Sequence, residues 1–339
     1  MPLQDPVLLK LTKLGFGKVA RVEQDAFFDH TAYYAQHGAA LAKKAFTKNE
    51  AKRLKAQIAS LRSLRSATLA NPLIRVPQIL AHGDLQLGGH FVLLEHMNLS
   101  PLHEGSAHNA VKRLGQGLAD LHTAPQPPGQ VPAWARPAFG FSVDTYDEDD
   151  DVPLSNAWKR SFVDFFIDQR LQPEIARVED RLTHAFGVKA DEVLEFRRLS
   201  DSLCKYAAEL LAPLSEPPSL LHGKFGASPS VAVLQNEDSP ENGDSTSTIQ
   251  LALLNPSSSY GLPELDLAHV MMDKSFGEYT NTFFEGYHSR RPKPSDYEER
   301  LQLFSIHLRL RRLASQRSTP RISEEWPQVV EYVSKVIPV

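Results

Sequence analysis

The sequence predicts an α+β protein with two lobes, a small β-rich lobe over residues 1–97 and a larger helical lobe over residues 98–339. Short runs of β-branched, aromatic and aliphatic residues crowd the first 97 residues. Apolar residues at three- and four-residue spacing dominate the remainder, as expected of amphipathic helices. Between the two regions, Asn98-Leu99-Ser100-Pro101 interrupts both patterns and is predicted to form a hinge.

The N-terminal lobe is predicted to contain six short strands and one helix. The strand-like segments are 7–11, 19–23, 33–34, 39–46, 76–80 and 90–96, and the last two are predicted to join through a turn at Gly88-Gly89. The helix is expected over 49–65, because Ala51, Leu54, Ile58 and later leucines recur on one face.

The C-terminal lobe is predicted to hold eight helices and one hairpin. The helices are expected over 107–123, 157–170, 174–184, 190–211, 264–275, 278–288, 297–315 and 324–335. A catalytic-type loop at 220–229 precedes a hairpin at 230–256, whose two strand-like halves flank the turn signal Asn242-Gly243-Asp244. Arg309, Arg311, Arg312 and Arg317 are interpreted as a solvated face, because no aromatic residues interleave with them.

Composition narrows the class of protein. The chain has 339 residues, 42% hydrophobic content and a formal net charge of −4, which gives no reason to expect nucleic acid or an anionic membrane as a partner. The single cysteine, Cys204, excludes an internal disulfide. The N-terminus lacks the basic and apolar regions of a signal peptide, and no apolar run approaches 18 residues, so a cytoplasmic location is expected.

Two local features are candidates for ligand binding. Gly15-Phe16-Gly17 lies between strand-like runs, a pattern typical of a plain turn and also of a backbone that approaches phosphates. Lys43 and Lys44 lie near the end of a predicted strand, and the sequence does not decide which of them faces a cleft.

A series of motifs in a fixed order resembles the fructosamine-3-kinase (ketosamine 3-kinase) family, relatives of the aminoglycoside phosphotransferases with a protein-kinase-like fold. The earlier motifs are Gln57-Ile58-Ala59-Ser60-Leu61, Val76-Pro77, Leu93-Leu94-Glu95-His96, Leu114-Gly115-Gln116-Gly117, Phe139-Gly140-Phe141 and Asn156-x-Trp158. The later ones are Leu221-His222-Gly223 and Asn255-Pro256-x-x-x-Tyr260-Gly261-x-x-Glu264-x-Asp266. Together they run through most of the chain.

The resemblance implies ATP-dependent phosphorylation of the sugar 3-hydroxyl on ketosamines, such as glycated lysines of proteins. It also implies a nucleotide site formed by Gly15, Gly17, Lys43 and the hinge residues Glu95, His96 and Met97. His222 would brace the catalytic loop, as a backbone-bracing histidine rather than a general base. ATP and a ketosamine or glycated protein are therefore the expected ligands, and Mg²⁺ is the metal that such a reaction uses.

This chain departs from the family pattern where the chemistry would occur. The catalytic Asp of the family is Lys224, the metal-binding Asn is Pro229, the metal-binding Asp is Asn255, and the helix Glu that pairs with the strand lysine is Gln57. An ammonium group cannot accept a proton, and proline has no side-chain oxygen. The changes at Lys224 and Asn255 add about three units of positive charge, two and one respectively, which opposes binding of a dication.

Three functions remain open from the sequence. The first hypothesis is a pseudokinase that binds a nucleotide or a partner, with Lys224 serving as a counter-charge to an anionic ligand and Mg²⁺ doubtful. The second is an active ketosamine kinase that uses displaced acids, Glu264 or Asp266, although both are expected to cap or brace the loop. The third is a scaffold whose cleft binds no nucleotide.

Overall fold

The structure is a computed structural model of the chain. It describes residues 5–24, 30–85, 88–102, 107–127, 131–132, 137–146, 152–226, 230–234 and 249–337. Pro229 and the predicted hairpin turn Asn242-Gly243-Asp244 lie outside these residues. The α+β class is confirmed, with a β-sheet in the N-terminal region and mainly helices in the C-terminal part.

The chain divides into two compact units that each draw on several segments. Unit 1 contains residues 1–123, 224–258 and 275–291, and unit 2 contains 124–223, 259–274 and 292–339. The boundary within the predicted catalytic loop falls between Gly223 and Lys224. The predicted separation into lobes at residue 97 stays a prediction.

Unit 1 is built on a five-stranded antiparallel sheet in the order β1-β2-β3-β6-β5. Its strands are β1 (Val19–Gln24), β2 (Thr31–Ala35), β3 (Gly38–Ala45), β5 (Ile79–Asp84) and β6 (His90–Glu95). The strands predicted over 19–23, 33–34, 39–46 and 90–96 are thus confirmed. The strand predicted over 76–80 is shifted, because β5 runs from Ile79 to Asp84. It begins two residues after Pro77, since proline cannot donate a hydrogen bond to a sheet ladder.

The strand predicted over 7–11 is wrong, because this segment forms helix α1 (Pro6–Lys13). The Asp5 carboxylate caps the helix by accepting a hydrogen bond from the Val7 amide at 3.0 Å, and Pro6 occupies the first turn. Val7 and Leu11, four residues apart, are buried against Ala40, Ala42 and other apolar residues of one sheet face. A short apolar run fits a strand and a helix equally well, so periodicity alone misassigned it.

Helix α2 (Lys48–Thr68) confirms the helix predicted over 49–65 and packs against β3 and β6. Its first turn has a capping box in which the Thr47 hydroxyl accepts from the Glu50 amide and the Glu50 carboxylate accepts from the Thr47 amide. The apolar cluster that Val7 and Leu11 of α1 form with one face of the sheet contains no side chain of α2. Helix α2 therefore covers the other face of the sheet.

A second sheet of unit 1 contains the predicted hairpin. Its order is β4-β12-β11-β7, formed by β4 (Ile74–Arg75), β7 (Leu99–Ser100), β11 (Val231–Leu234) and β12 (Gln250–Leu253). The antiparallel pairing of β11 with β12 confirms the two strands of the hairpin. The predicted hinge at residues 98–101 includes β7, which pairs with β11.

Helices α3 (Ala107–Thr123) and α8 (Thr280–His288) complete unit 1 and pack closely together. Gly115 and Gly286 make this approach possible, because a Cβ atom at Gly115 would collide with the Phe283 carbonyl oxygen and one at Gly286 with the Lys112 carbonyl oxygen. The helix predicted over 107–123 is confirmed to the residue. That predicted over 278–288 is confirmed with a 3-10 turn, Gly277–Tyr279, at its start.

Unit 2 is mainly helical. Its helices are α4 (Phe162–Phe166), α5 (Gln172–Phe186), α6 (Asp191–Leu211), α7 (Glu264–Met272), α9 (Tyr297–Ser315) and α10 (Thr319–Val336). It also has two short two-stranded sheets. In one, β8 (Thr145–Tyr146) pairs with β9 (Pro153–Leu154), and in the other, β10 (Ser219–Leu220) pairs with β13 (Tyr260–Gly261). The helix predicted from residue 157 begins only at Phe162, because Lys159 is extended and pairs with Phe139. It continues through a π-helical turn at Ile167–Leu171.

The interpretation of four arginines as a solvated face is wrong for Arg311. Its side chain is buried and its Nη1 atom lies 2.7 Å from the Glu174 carboxylate. Arg309 stacks over the Tyr332 ring at 4.2 Å. Among the residues that the structure describes, no helix has the length and apolar content needed to cross a membrane.

Candidate functional site

The end of the hairpin in unit 1 places Lys224 near Asn255. Lys224 precedes β11 and Asn255 follows β12, and the start of one antiparallel strand lies beside the end of the other. Ser230 links the two segments, because its hydroxyl donates to the Lys224 carbonyl at 2.8 Å and its carbonyl accepts from the Leu254 amide at 2.8 Å. Two of the predicted site residues therefore share one end of the hairpin.

Asn255 has an unusual backbone and a specific side-chain partner. Its φ of 50° makes it the one described non-glycine residue with positive φ, in the left-handed region that asparagine tolerates better than most residues. Its side-chain oxygen accepts a hydrogen bond from Nε2 of Gln57 at 3.0 Å. The structure thus joins two positions at which the family resemblance implies acids.

A second hydrogen bond ties α2 to the same segment. The Ser258 amide donates to the hydroxyl of Ser60 at 3.1 Å, and that hydroxyl donates to the Ala56 carbonyl within the helix. Gln57 and Ser60 are three residues apart and so lie on one face of α2. The segment after β12 is therefore fastened to this face at two points, a role for Ser60 that sequence reasoning missed.

The structure resolves the orientation of Lys43 and Lys44. The Lys44 ammonium lies 2.6 Å from the Asp5 carboxylate, at the start of α1. Because successive side chains of a strand alternate, Lys43 points to the opposite face of β3, on which α2 packs. Burial, and secondarily the Lys43 charge, lowers the pKa of the enclosed His30 to about 3.

Gly15, the first glycine of the predicted phosphate loop, belongs to a helix terminus. Gly15, with φ of 84°, donates to the Thr12 carbonyl, and Phe16 donates to the Leu11 carbonyl, both at 3.1 Å. This is the Schellman arrangement that ends a helix, and it requires a residue with positive φ directly after the last turn. Gly15 thus has a structural role in ending α1, and phosphate binding by Gly15 and Gly17 stays a prediction.

Glu95, His96 and Met97, which are predicted to bind the nucleotide, differ in what their side chains contact. Both carboxylate oxygens of Glu95 are engaged, since Arg75 lies at 2.6 Å, Arg65 at 3.4 Å, and the Gln78 amide donates at 2.7 Å. His96 lies edge-on to the Tyr34 ring, and Met97 is buried. Adenine recognition by the backbone of residues 95–97 stays a prediction.

In unit 2, Asp266 holds the predicted catalytic loop in place. One oxygen of its buried carboxylate accepts a hydrogen bond from the His222 amide at 2.7 Å, and the other accepts from the Gly223 amide at 2.8 Å. The Leu221 amide donates to the Ser259 carbonyl at 2.9 Å. Asp266 therefore braces the loop backbone, the role expected for it from the sequence.

Glu264, the other acid considered as a replacement base, lies in a buried ion cluster. The fully buried Arg300 approaches Glu264 at 3.1 Å, Glu216 at 2.8 Å and Asp296 at 3.5 Å. Removing one member of such a cluster leaves buried charge uncompensated, which is costly. The position of Glu264 is thus fixed by packing in unit 2.

The residues at the predicted metal positions do not fit a magnesium ion. Magnesium prefers charged oxygen ligands, whereas Lys224 is cationic and the Asn255 oxygen is neutral and already accepts from Gln57. Within the described ranges, no three His, Cys, Asp or Glu side chains form a group that could hold a metal ion. Pro229 lies outside these ranges.

Comparisons of the sequence with known proteins agree on one family. A sequence model for fructosamine kinase matches residues 29–316. The chain is 28% identical to the ketosamine-3-kinase of Mus musculus over 282 residues, which covers 78% of each protein. It is 26% identical to the chloroplastic protein-ribulosamine 3-kinase of Arabidopsis thaliana over 234 residues, covering 69% of this chain and 59% of the relative.

Solved structures share the fold. A proposed fructosamine-3-kinase from Thermobifida fusca aligns with a TM-score of 0.67 at 20% identity, over 98% of both chains. An aminoglycoside phosphotransferase, solved in ternary complex with AMP-PNP and hygromycin B, aligns with a TM-score of 0.60 at 14% identity, over 98% of both chains. The predicted kinase-like fold is thereby confirmed.

Proposed function

The chain belongs to the fructosamine kinase family, and from that premise we propose that it is a catalytically impaired member that binds a nucleotide without magnesium. The observation that carries the proposal is the hydrogen bond between Gln57 and Asn255. These are the positions at which the resemblance implies a lysine-pairing glutamate and a metal-binding aspartate.

The Gln57–Asn255 contact suits amides and not carboxylates. Two carboxylates about 4 Å apart repel by about 4 kcal/mol at an effective dielectric constant near 20 unless a cation lies between them. Two amides instead attract each other, because the nitrogen of one donates to the oxygen of the other, as Nε2 of Gln57 does to Asn255 at 3.0 Å here. The two replacements therefore support each other and form an uncharged contact where the family would place negative charge.

The loss of a base at Lys224 supports the same proposal. A general base typically contributes about 10²–10⁴ in rate, and an ammonium cannot supply it. The acids considered as substitutes already have partners, since Asp266 accepts two loop amides and Glu264 pairs with buried Arg300. These contacts weigh against an active kinase that relies on Glu264 or Asp266.

Nucleotide binding is proposed to depend on protein cations. Lys43 and Lys224 both belong to unit 1. Lys43 is at the position of the family's strand lysine, and Lys224 adds a second ammonium group where an intact site would have the catalytic acid. Ammonium groups are suitable partners for phosphate oxygens. Under this proposal, magnesium contributes nothing to affinity.

Thermal unfolding with ATP or ADP tests the binding step. A ligand that binds only the folded state raises the Tm by an amount that grows with the logarithm of its concentration relative to its Kd. We expect a shift in excess EDTA that is at least as large as the shift in excess magnesium, and a smaller shift for Lys224→Met, which keeps the aliphatic stem. A shift that requires magnesium would contradict metal-independent binding, and no shift with either nucleotide would favour a scaffold.

Phosphate transfer to a fructosylated or ribated lysine peptide tests the catalytic step. We expect no turnover above background from the natural chain, with the Mus musculus ketosamine-3-kinase as the positive control. A variant with Lys224→Asp, Pro229→Asn, Asn255→Asp and Gln57→Glu tests whether restoring the acids restores transfer. Turnover by the natural chain comparable with the control would refute the impairment.

A further inference from the structure

The outer side of α2 forms one wall of a groove on unit 1. The groove has a volume of about 350 Å³ and lies between the C-terminal half of α2 and residues 77–79. Leu61 and Pro77 are buried at its apolar floor, and Leu69 borders it with 75% of its surface exposed. This volume is within the range of about 300–1,000 Å³ that is usual for ligand-binding clefts.

The rim of the groove has excess positive charge. Arg62 and Arg65 both line it. Glu95 is shared by Arg65 and Arg75, so these three side chains keep one positive charge between them. Arg62 adds a second, because its described partner is the imidazole of His82 at 2.7 Å.

The hydrogen-bond directions require His82 to be uncharged. A guanidinium can only donate, so Nε2 of His82 accepts from Arg62 and its hydrogen is on Nδ1. That nitrogen lies 3.3 Å from Nε2 of His90, whose own Nδ1 lies 2.9 Å from the Asp84 carboxylate. Each group donates to the next from Arg62 to Asp84, so the imidazole leaves the positive charge of Arg62 uncompensated, and none of the described residues that line the groove is acidic.

The positive charge continues along α2. The helix contains six basic residues and one acidic residue, in a chain whose net charge is −4. Lys48, Lys52, Lys55 and Arg62 are exposed on one face, and Lys55 pairs with Asp84 at 3.1 Å. A ligand for this surface must be acidic along the helix and apolar where it meets the groove floor.

We propose that this groove docks an acidic peptide segment of a partner protein, with one apolar side chain of the segment inserted between Leu69 and the groove floor. Charge complementarity to Arg62 and the basic face of α2 selects the acidic residues, and the floor selects the apolar one. Nucleic acid and anionic membranes are poorer matches, because a sugar-phosphate backbone has no apolar side chain for the recessed groove floor and a membrane surface is too broad to enter it. The inference does not depend on the state of the phosphate-transfer site.

Peptide selection on the full-length protein tests the proposal. A phage-displayed library of random 12-residue peptides is selected against the natural chain, and enriched peptides are synthesised and measured by fluorescence anisotropy. We expect enriched peptides with several Asp or Glu residues and one large apolar residue. Their affinity should fall at least 10-fold for Arg62→Glu and several-fold for Leu69→Ser, both of which change exposed side chains.

The controls separate docking from general charge and from folding. Lys205→Glu makes the same charge change on an exposed lysine of unit 2 and should leave the affinity unaltered. The Tm values and nucleotide-induced shifts of both groove variants should match those of the natural chain. Failure of enrichment, enriched peptides without acids, or equal binding by Arg62→Glu would overturn the proposal. Binding of a 20-base-pair DNA or of phosphatidylserine vesicles that Arg62→Glu abolishes, without peptide binding, would overturn it in favour of that ligand.

Discussion

At the residue scale, Gln57 and Asn255 show what a sequence conceals. From the sequence, both differences from the family pattern could be identified, but only as two separate losses. The residues are 198 positions apart, and no local pattern indicates that their side chains meet at 3.0 Å. The sequence does show that two acids of the family pattern are both replaced by amides. Only the hydrogen bond between Gln57 and Asn255 reveals that the two replacements are linked.

Asn255 is predicted to be sensitive to the loss of its side chain. We expect Asn255→Ala to lower the free energy of unfolding by about 1–3 kcal/mol, because alanine is strained at positive φ and leaves Gln57 without this partner. Urea denaturation measures the change. Asn255→Gly is the matched control, since it relieves the backbone strain and should recover part of the loss. Equal stability of the alanine variant and the natural chain would contradict the proposed geometry.

At the element scale, sequence reasoning was strongest for long periodic helices and weakest for short segments. The helices at 107–123 and 297–315 were predicted to the residue, because several turns of apolar spacing define them. Helix α1 was misassigned although Asp5, Pro6 and Gly15 are typical signals of its two ends. Burial of Arg311 could not be predicted, since its partner Glu174 lies on another helix, α5.

Gly15 offers a test that separates a structural from a ligand-binding role. We expect Gly15→Ala to destabilise the protein by about 1 kcal/mol, because positive φ disfavours alanine. No steric clash adds to this loss, since no atom lies within 4 Å of the added methyl group. The nucleotide-induced Tm shift should be unaltered. Loss of that shift without loss of stability would instead assign Gly15 to the phosphates.

At the scale of the whole molecule, several enclosed histidines make stability depend on pH. Burial is the main cause that lowers the pKa of His30 to about 3, that of His307 well below its usual value, and that of His82 to a smaller degree. Positive neighbours add to this, Lys43 for His30 and Arg311 for His307. The folded state therefore binds fewer protons than the unfolded state, in which a histidine pKa is about 6.5.

The sign of this linkage predicts acid destabilisation. Stability is fully present above about pH 6.5 and is lost as the pH falls below it, by about 2 kcal/mol at pH 5 for His30 alone. Urea unfolding at pH 7, 6 and 5 measures the slope. His184→Gln, which removes an exposed histidine, should leave the slope unaltered. A free energy of unfolding that is constant or higher at pH 5 would show that these histidines are protonated in the folded protein.

The pairing of β4 with β12 has a consequence for how the protein is made. Every strand of the five-stranded sheet lies within the first 95 residues, whereas Ile74 of β4, in the second sheet of unit 1, pairs with Leu251 of β12. At about 5–20 residues per second, β4 is synthesised about ten seconds or longer before β12. During the wait an unfinished strand edge is exposed in the nascent chain, and chaperone dependence of expression is expected to arise there.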